Sequence, residues 1–191
     1  MSDDSQYLAR LQDYYAQHRV LPSYSAIAQL IGLRSKASVA ELVLRLKAEG
    51  FLQSTPQKRL KPGRRFFERP VHEGLRAGLP SPAAEVGPDN VTIDEYLVRN
   101  PSKTILIEVQ GDSMIDAGIR PGDVVVVEKQ RTAKVGDIVV AIVDNEFTLK
   151  TLGQERGRSV LRPANTGFQV IRPRGDLEIL GVVVGQFRRY R

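Results

Sequence analysis

Ser113 is the first residue in this chain whose setting invites a chemical reading. It stands in "IEVQGDSMIDAGIRPGDVVVVEK", residues 107–129, where an apolar run stops at Gly-Asp-Ser-Met. Turns between strands are usually built from glycine, proline and aspartate, so a hydroxyl between a glycine and a methionine is either turn chemistry or a nucleophile. Cysteine is absent, which excludes disulfides, thiolate zinc sites and cysteine nucleophiles. The two histidines, His18 and His72, are too few for a multi-histidine metal site, and a Ser-His-Asp triad would require His72 to fold back. The remaining general base is lysine, as in the Ser-Lys variants of the triad. Lys103, Lys129, Lys134 and Lys150 are available. Lys129 and Lys134 flank a polar turn. Lys150 lies in "EFTLKTL" among Phe147, Leu149 and Leu152, with no acid adjacent. A free lysine has a pKa near 10.4, so only roughly one in 2,500 is neutral at pH 7. A base at that pH needs a drop of about 3 units, or ~4–5 kcal/mol of bias against the ammonium, which burial can supply. An exposed strand face is the commoner place for a strand lysine, so residue chemistry alone leaves both alternatives open. No cofactor is expected.

These side chains must be held by short β-rich runs bounded by turns: "TILIEVQ", "DVVVVEK", "DIVVAIVD", "EFTLKTL", "SVLRPA" and "LEILGVVVGQFRRY". Turn signals fall at 120–123, 135–137 and 144–146. Strands without long intervening helices predict a compact, mostly antiparallel β domain over 91–191.

The first third follows a different period. Tyr7, Leu8, Leu11, Tyr14 and Tyr15 are spaced for a helix over roughly 5–18. A second helix is capped by Ser23 and ended by Gly32; a third is capped by Ser35, carries a stripe of Val39, Leu42, Val43 and Leu46, and ends at Gly50. A short helix, a tight turn and a longer helix make a helix-turn-helix. In that geometry Ser35, Lys36, Ala37, Ser38 and Glu41 are placed to meet base edges in a major groove. "FLQSTPQKRLKPGRRFF" reads as a basic wing, with Lys58, Arg59, Lys61, Arg64 and Arg65 on phosphates. Charge agrees: residues 1–67 hold 11 Lys/Arg against 5 Asp/Glu, whereas 68–191 hold 17 of each. A basic head on a neutral body predicts double-stranded DNA as a partner.

The expected fold class is therefore α+β, a mostly α winged helix-turn-helix over 1–67 followed by an all-β domain. Between them, 68–90 is a linker by composition. It contains Ala77-Gly78, two small residues in an extended, proline-flanked stretch that a protease site would accept. The acidic, polar start of the chain does not resemble a signal peptide, and no apolar run approaches the ~20 residues of a membrane span. The expectation is a soluble, cytoplasmic protein with no membrane association.

Three motifs in order, "AGLPSPAAE", "VQGDSMIDAGIRPGDVVVV" and "GDIVVAIVDNEFTLKTL", resemble the LexA/UmuD family of self-cleaving serine-lysine peptidases over about residues 77–191. In detail this part is more similar to UmuD. The preceding "LPSYSAIAQLIGLRSKASVAELVLRLKAEGFL" resembles the DNA-binding domain of LexA repressors, which UmuD lacks. The resemblance implies that Ser113 is the nucleophile, Lys150 the neutral general base and Ala77-Gly78 the scissile bond. It further implies a homodimer, a double-stranded operator, and stimulation by a RecA-type recombinase filament on single-stranded DNA after DNA damage. An error-prone polymerase is the partner if the chain instead acts as a UmuD-like accessory; a non-proteolytic DNA-binding dimer is the third alternative. One departure matters. LexA repressors carry Pro-Asn-Ala-Ala-Glu-Glu after the serine that opens the recognition helix, whereas this chain has "KASVAE" at 36–41, so the family's operator is not expected to transfer.

Overall fold

The computed structural model describes residues 3–72, 86–130 and 132–190. The chain divides into two compact units, the first ending at Ile93 and the second beginning at Asp94.

In the first unit, α1 (Asp3–His18), α2 (Tyr24–Ile31) and α3 (Lys36–Ala48) precede a hairpin of β1 (Leu52–Ser54) and β2 (Leu60–Pro62). The helices start and stop where local chemistry dictates. Ser23 Oγ accepts the Ala26 N–H and Gly32 takes the left-handed conformation at φ 77°, which costs glycine nothing sterically. Ser35 Oγ accepts the Ser38 N–H. Leu11, Ile27, Val39, Leu42, Val43, Leu46, Leu52 and Phe66 form one buried core. The basic turn of the wing is closed by N–H donation from Thr55 to the Arg59 carbonyl and from Lys58 to the Thr55 carbonyl. Arg65, expected on phosphate, is committed elsewhere: it pairs with Glu68 at 2.9 Å, donates to the Glu49 carbonyl and lies over the Phe51 ring. A 3₁₀ turn at Arg64–Phe67, which periodicity did not announce, turns it inward. Within the stretch that reads as linker, β3 (Arg69–His72) and β4 (Val86–Val91) pair antiparallel.

The second unit opens with the rest of α4 (Ile93–Leu97) and is dominated by β5 (Thr104–Glu108), β6 (Val124–Lys129), β7 (Ile138–Val143), β8 (Glu146–Glu155), β9 (Arg158–Arg162) and β10 (Leu177–Phe187). They form one sheet in the order β5-β6-β10-β7-β8-β9, every pair antiparallel. The last strand is thus inserted between β6 and β7. Among the described residues, no helix is long and apolar enough to cross a membrane.

Candidate active site

Ser113 lies on the connection between β5 and β6, and the sequence fixes that connection at several points. Pairing continues past the end of β5, with the Val109 N–H on the Asp123 carbonyl at 2.8 Å and the Gly122 N–H on the Val109 carbonyl at 2.9 Å. Gly111 then turns the chain at φ 83°, a conformation that costs a side chain about 1 kcal/mol or more. Met114 and Ile119, on either side of a 3₁₀ turn at Ile115–Ala117, are buried with Val125, Val127 and Val140. The serine is therefore carried between two apolar anchors.

Lys150 comes from the middle of β8, opposite Val139 of β7. Its Nζ is 2.7 Å from Ser113 Oγ, 3.1 Å from Thr148 Oγ1 and 2.9 Å from the Leu149 carbonyl oxygen. Thr148 reaches the same amine because side chains two apart share a strand face. The lysine is 7% exposed, and burial pushes its pKa below the ordinary lysine value. No carboxylate is among its hydrogen-bond or ion-pair partners within the described residues. Lys103, Lys129 and Lys134 are exposed. The surroundings of Lys150 differ from the expectation in one respect: Phe147 is 70% exposed and points away from the core. It instead helps to line a cleft of about 220 Å³, together with Ile107, Val109, Gln110, Thr148 and Leu149.

Sequence reasoning missed a second set of groups. The Ala164 N–H donates to the Ser113 carbonyl and the Asp116 N–H to the Ala164 carbonyl, both at 2.8 Å, so two residues beyond β9 clamp the serine backbone. Asn165 Nδ2 donates to the Asp112 carbonyl at 3.1 Å, while its Oδ1 accepts the Gly167 N–H at 2.9 Å. "RPANTGF" carries a weak signal of this, an asparagine two residues before a glycine, which suits a side-chain-stabilised turn.

Asp123, which the sequence marks only as a turn residue, is fully buried. Arg188 grips it from two sides of the guanidinium, Nε donating to Oδ1 and Nη2 to Oδ2 at 2.6 Å, and the Arg120 N–H adds a third donor at 2.8 Å. Arg188 Nη2 and Gln186 Nε2 also reach the Gly118 carbonyl, so the end of β10 holds down the connection that carries Ser113. The Arg188 guanidinium draws the Asp123 carboxyl down to about 2, below the ~3.9 of an unfolded aspartate. Its contribution to stability is therefore complete above about pH 4 and is lost as pH falls through about 2. Arg188→Ala is expected to lower the melting temperature at pH 7, since it strands a buried carboxylate, and to move acid unfolding to higher pH. Calorimetry from pH 2 to 7 checks both.

Of the other residues singled out from sequence, Ser35, Lys36, Ala37, Ser38 and Glu41 lie on the exposed start of α3, and Lys58 and Arg59 on the wing turn. Ala77 and Gly78 lie outside the described residues.

Comparison with known proteins places this geometry in context. The family model described as Peptidase S24-like matches residues 70–184. The LexA repressor of Syntrophobacter fumaroxidans is 36% identical over 192 residues, covering 95% of this chain and 90% of that protein. The LexA repressor of Acetivibrio thermocellus is 35% identical over 187 residues, covering 88% and 87%. That of Syntrophotalea carbinolica is 38% identical over 190 residues, covering 94% and 93%.

Proposed function

The chain belongs to the LexA/UmuD family of Peptidase S24-like proteins, and we propose that it is a transcriptional repressor that inactivates itself by cutting its own Ala77–Gly78 bond. The observation that carries this reading is the 2.7 Å contact between Ser113 Oγ and a buried lysine amine that has no carboxylate partner among the described residues. A neutral amine has two N–H groups and one lone pair. The Leu149 carbonyl can only accept, so it takes one N–H, and Thr148 Oγ1 stands where it accepts the other. The lone pair then falls to Ser113, whose hydroxyl donates to it. That is the arrangement a general base requires.

In this mechanism Ser113 Oγ attacks the Ala77 carbonyl carbon while its proton passes to Lys150 Nζ. Main-chain N–H groups around Asp112 and Ser113 hold the oxyanion. Collapse breaks the bond to the Gly78 nitrogen, which takes the proton from Lys150. Water, deprotonated by Lys150, then hydrolyses the ester and restores the serine. The products are fragments 1–77 and 78–191. Because the scissile bond is on the same chain, tethering replaces affinity as the source of local concentration. Because Asn165 fixes the Asp112 carbonyl next to the nucleophile, Asn165→Ala is expected to slow cleavage roughly ten- to a hundredfold. Timed gels should show that loss at every pH, with the shape of the pH–rate curve retained.

Residues 1–67 act as the reader and 91–191 as the self-cleaving, dimerising body, with 68–90 the cleavable connection. Lys58 and Arg59 contact phosphates of a double-stranded operator. A homodimer places two readers on a two-fold site, and cutting the connection removes the linkage between them. The family resemblance supports a cytoplasmic repressor of DNA-damage genes whose cleavage is stimulated by a RecA-type filament on single-stranded DNA. The test is to add such a filament, assembled with nucleotide, to the protein bound to duplex DNA. The two fragments should accumulate and the duplex should be released, with an initial affinity that falls steeply as salt rises. A chain that stays whole and bound would mark a non-proteolytic DNA-binding dimer.

A further inference from the structure

The outward face of α3 has an unusual make-up for a helix in so basic a unit. Positions i, i+3, i+4 and i+7 share one stripe of a helix, and helices lying in a major groove read base edges with that spacing. From the first turn of α3 the stripe is Ala37, Ala40, Glu41 and Leu44. The inward face holds Val39, Leu42, Val43 and Leu46, all buried. Leu44 is 65% exposed, and Ala37 and Glu41 are exposed beside it. The polar groups nearby are already engaged. The Ser35 hydroxyl caps the helix by accepting the Ser38 N–H and lies 2.9 Å from the Ser38 hydroxyl, Arg45 is paired with Asp4, and Lys47 donates to Ser54 Oγ. Along this stripe α3 presents two methyl groups, one isobutyl group and a single carboxylate, with Lys36 ahead of it on the first turn.

A lone exposed leucine is commonplace. Register and charge give this one a direction. It follows Ala37 and Glu41 on the same stripe, on a unit whose sequence up to residue 67 has an excess of six positive charges, with Arg34 and Lys36 at the start of the helix. A polyanion is the complement of those charges. The apolar group that duplex DNA displays in its major groove is the C5-methyl of thymine, and a glutamate accepts a hydrogen bond from the N4 amino group of cytosine.

We propose that α3 reads thymine methyl groups, with Ala37 and Leu44 each packed on one thymine and Glu41 accepting from a cytosine between them. Seven residues advance about 10 Å along a helix at 1.5 Å each, and base pairs are stacked every ~3.4 Å, so the two thymines lie about three base pairs apart. This rests on the DNA-binding reading above and specifies what is read.

The test uses the full-length protein. Selection from random duplexes defines the half-site, and each thymine in it is then replaced by deoxyuridine, which deletes only the methyl. Two positions about three base pairs apart should each lose about fourfold in affinity, as expected for one buried methyl. Leu44→Ala, a surface change to a better helix former, should bind with the thymine–deoxyuridine difference erased at one position and kept at the other. Deoxyuridine without effect at every position, or a Leu44→Ala protein with both differences intact, overturns the inference while leaving DNA binding in place. Failure to enrich any duplex overturns the DNA-binding reading as well, and Leu44 then belongs to a protein contact.

Discussion

Ser113→Ala leaves the chain whole under conditions in which the wild type is converted to two fragments. The expected loss is about 10⁴-fold or more, since groups that act as a unit fail together when one is removed. The backbone at this position is held by the Ala164 N–H on the Ser113 carbonyl and by Asn165 on the Asp112 carbonyl. Neither bond uses the hydroxyl. The variant should therefore keep its melting temperature to within a few degrees and bind duplex DNA as the wild type does, so that lost cleavage is separated from lost folding. Intact-mass measurement over time, beside a thermal melt, checks both halves. Fragments from Ser113→Ala at the wild-type rate would move the nucleophile elsewhere.

Replacing Lys150 by methionine should abolish cleavage to the same extent and also make the protein more stable at neutral pH. Burial lowers the folded-state pKa of this lysine from the ~10.4 it has in the unfolded chain. Between those two values the unfolded state holds a proton that the folded state lacks, so stability rises with pH across that window. Below the folded pKa the buried ammonium costs its full penalty; above the unfolded pKa the penalty is gone. Methionine, of similar length and without charge, removes it at every pH. The melting temperature of Lys150→Met should exceed that of the wild type at pH 7, and the gap should narrow toward pH 10. Wild-type cleavage should accelerate over the same range, about tenfold per unit until the folded pKa is passed, because only the neutral amine can accept the serine proton. A gap that widened with pH would mean that the lysine is stabilised as a cation.

The parts of the fold visible in the sequence were those decided locally. Ser23 and Ser35 precede apolar stripes of helical period, and both accept the capping N–H three residues on. The six apolar runs from residue 104 onward each became a strand, because turn residues separate runs too short for helices. Strand order was not visible: nothing local in β10 says that it enters between β6 and β7. Partners far apart in the chain were equally hidden. Asp123 and Arg188 are 65 residues apart, and the turn chemistry of "RPGD" explains the aspartate well enough without its partner. The Asn165 clamp on Asp112 spans 53 residues. Arg65 read as a phosphate ligand because it stands in a basic run, and only the 3₁₀ turn shows it facing Glu68 and Phe51. At the site, the apolar neighbours of Lys150 in the sequence hinted at burial, and the lysine is buried although Phe147 itself is exposed. The adjacency of Ser113 and Lys150 came from resemblance, since no residue pattern ties 113 to 150.

The central claim is that one chain is both substrate and catalyst. The most direct measurement is the intact mass of purified wild-type protein at pH 10 with time, over a hundredfold range of protein concentration. The account predicts masses corresponding to 1–77 and 78–191, appearing with one first-order rate constant at every concentration. A protein that stays intact throughout, a cut at another bond, or a rate constant that rises with concentration would contradict it.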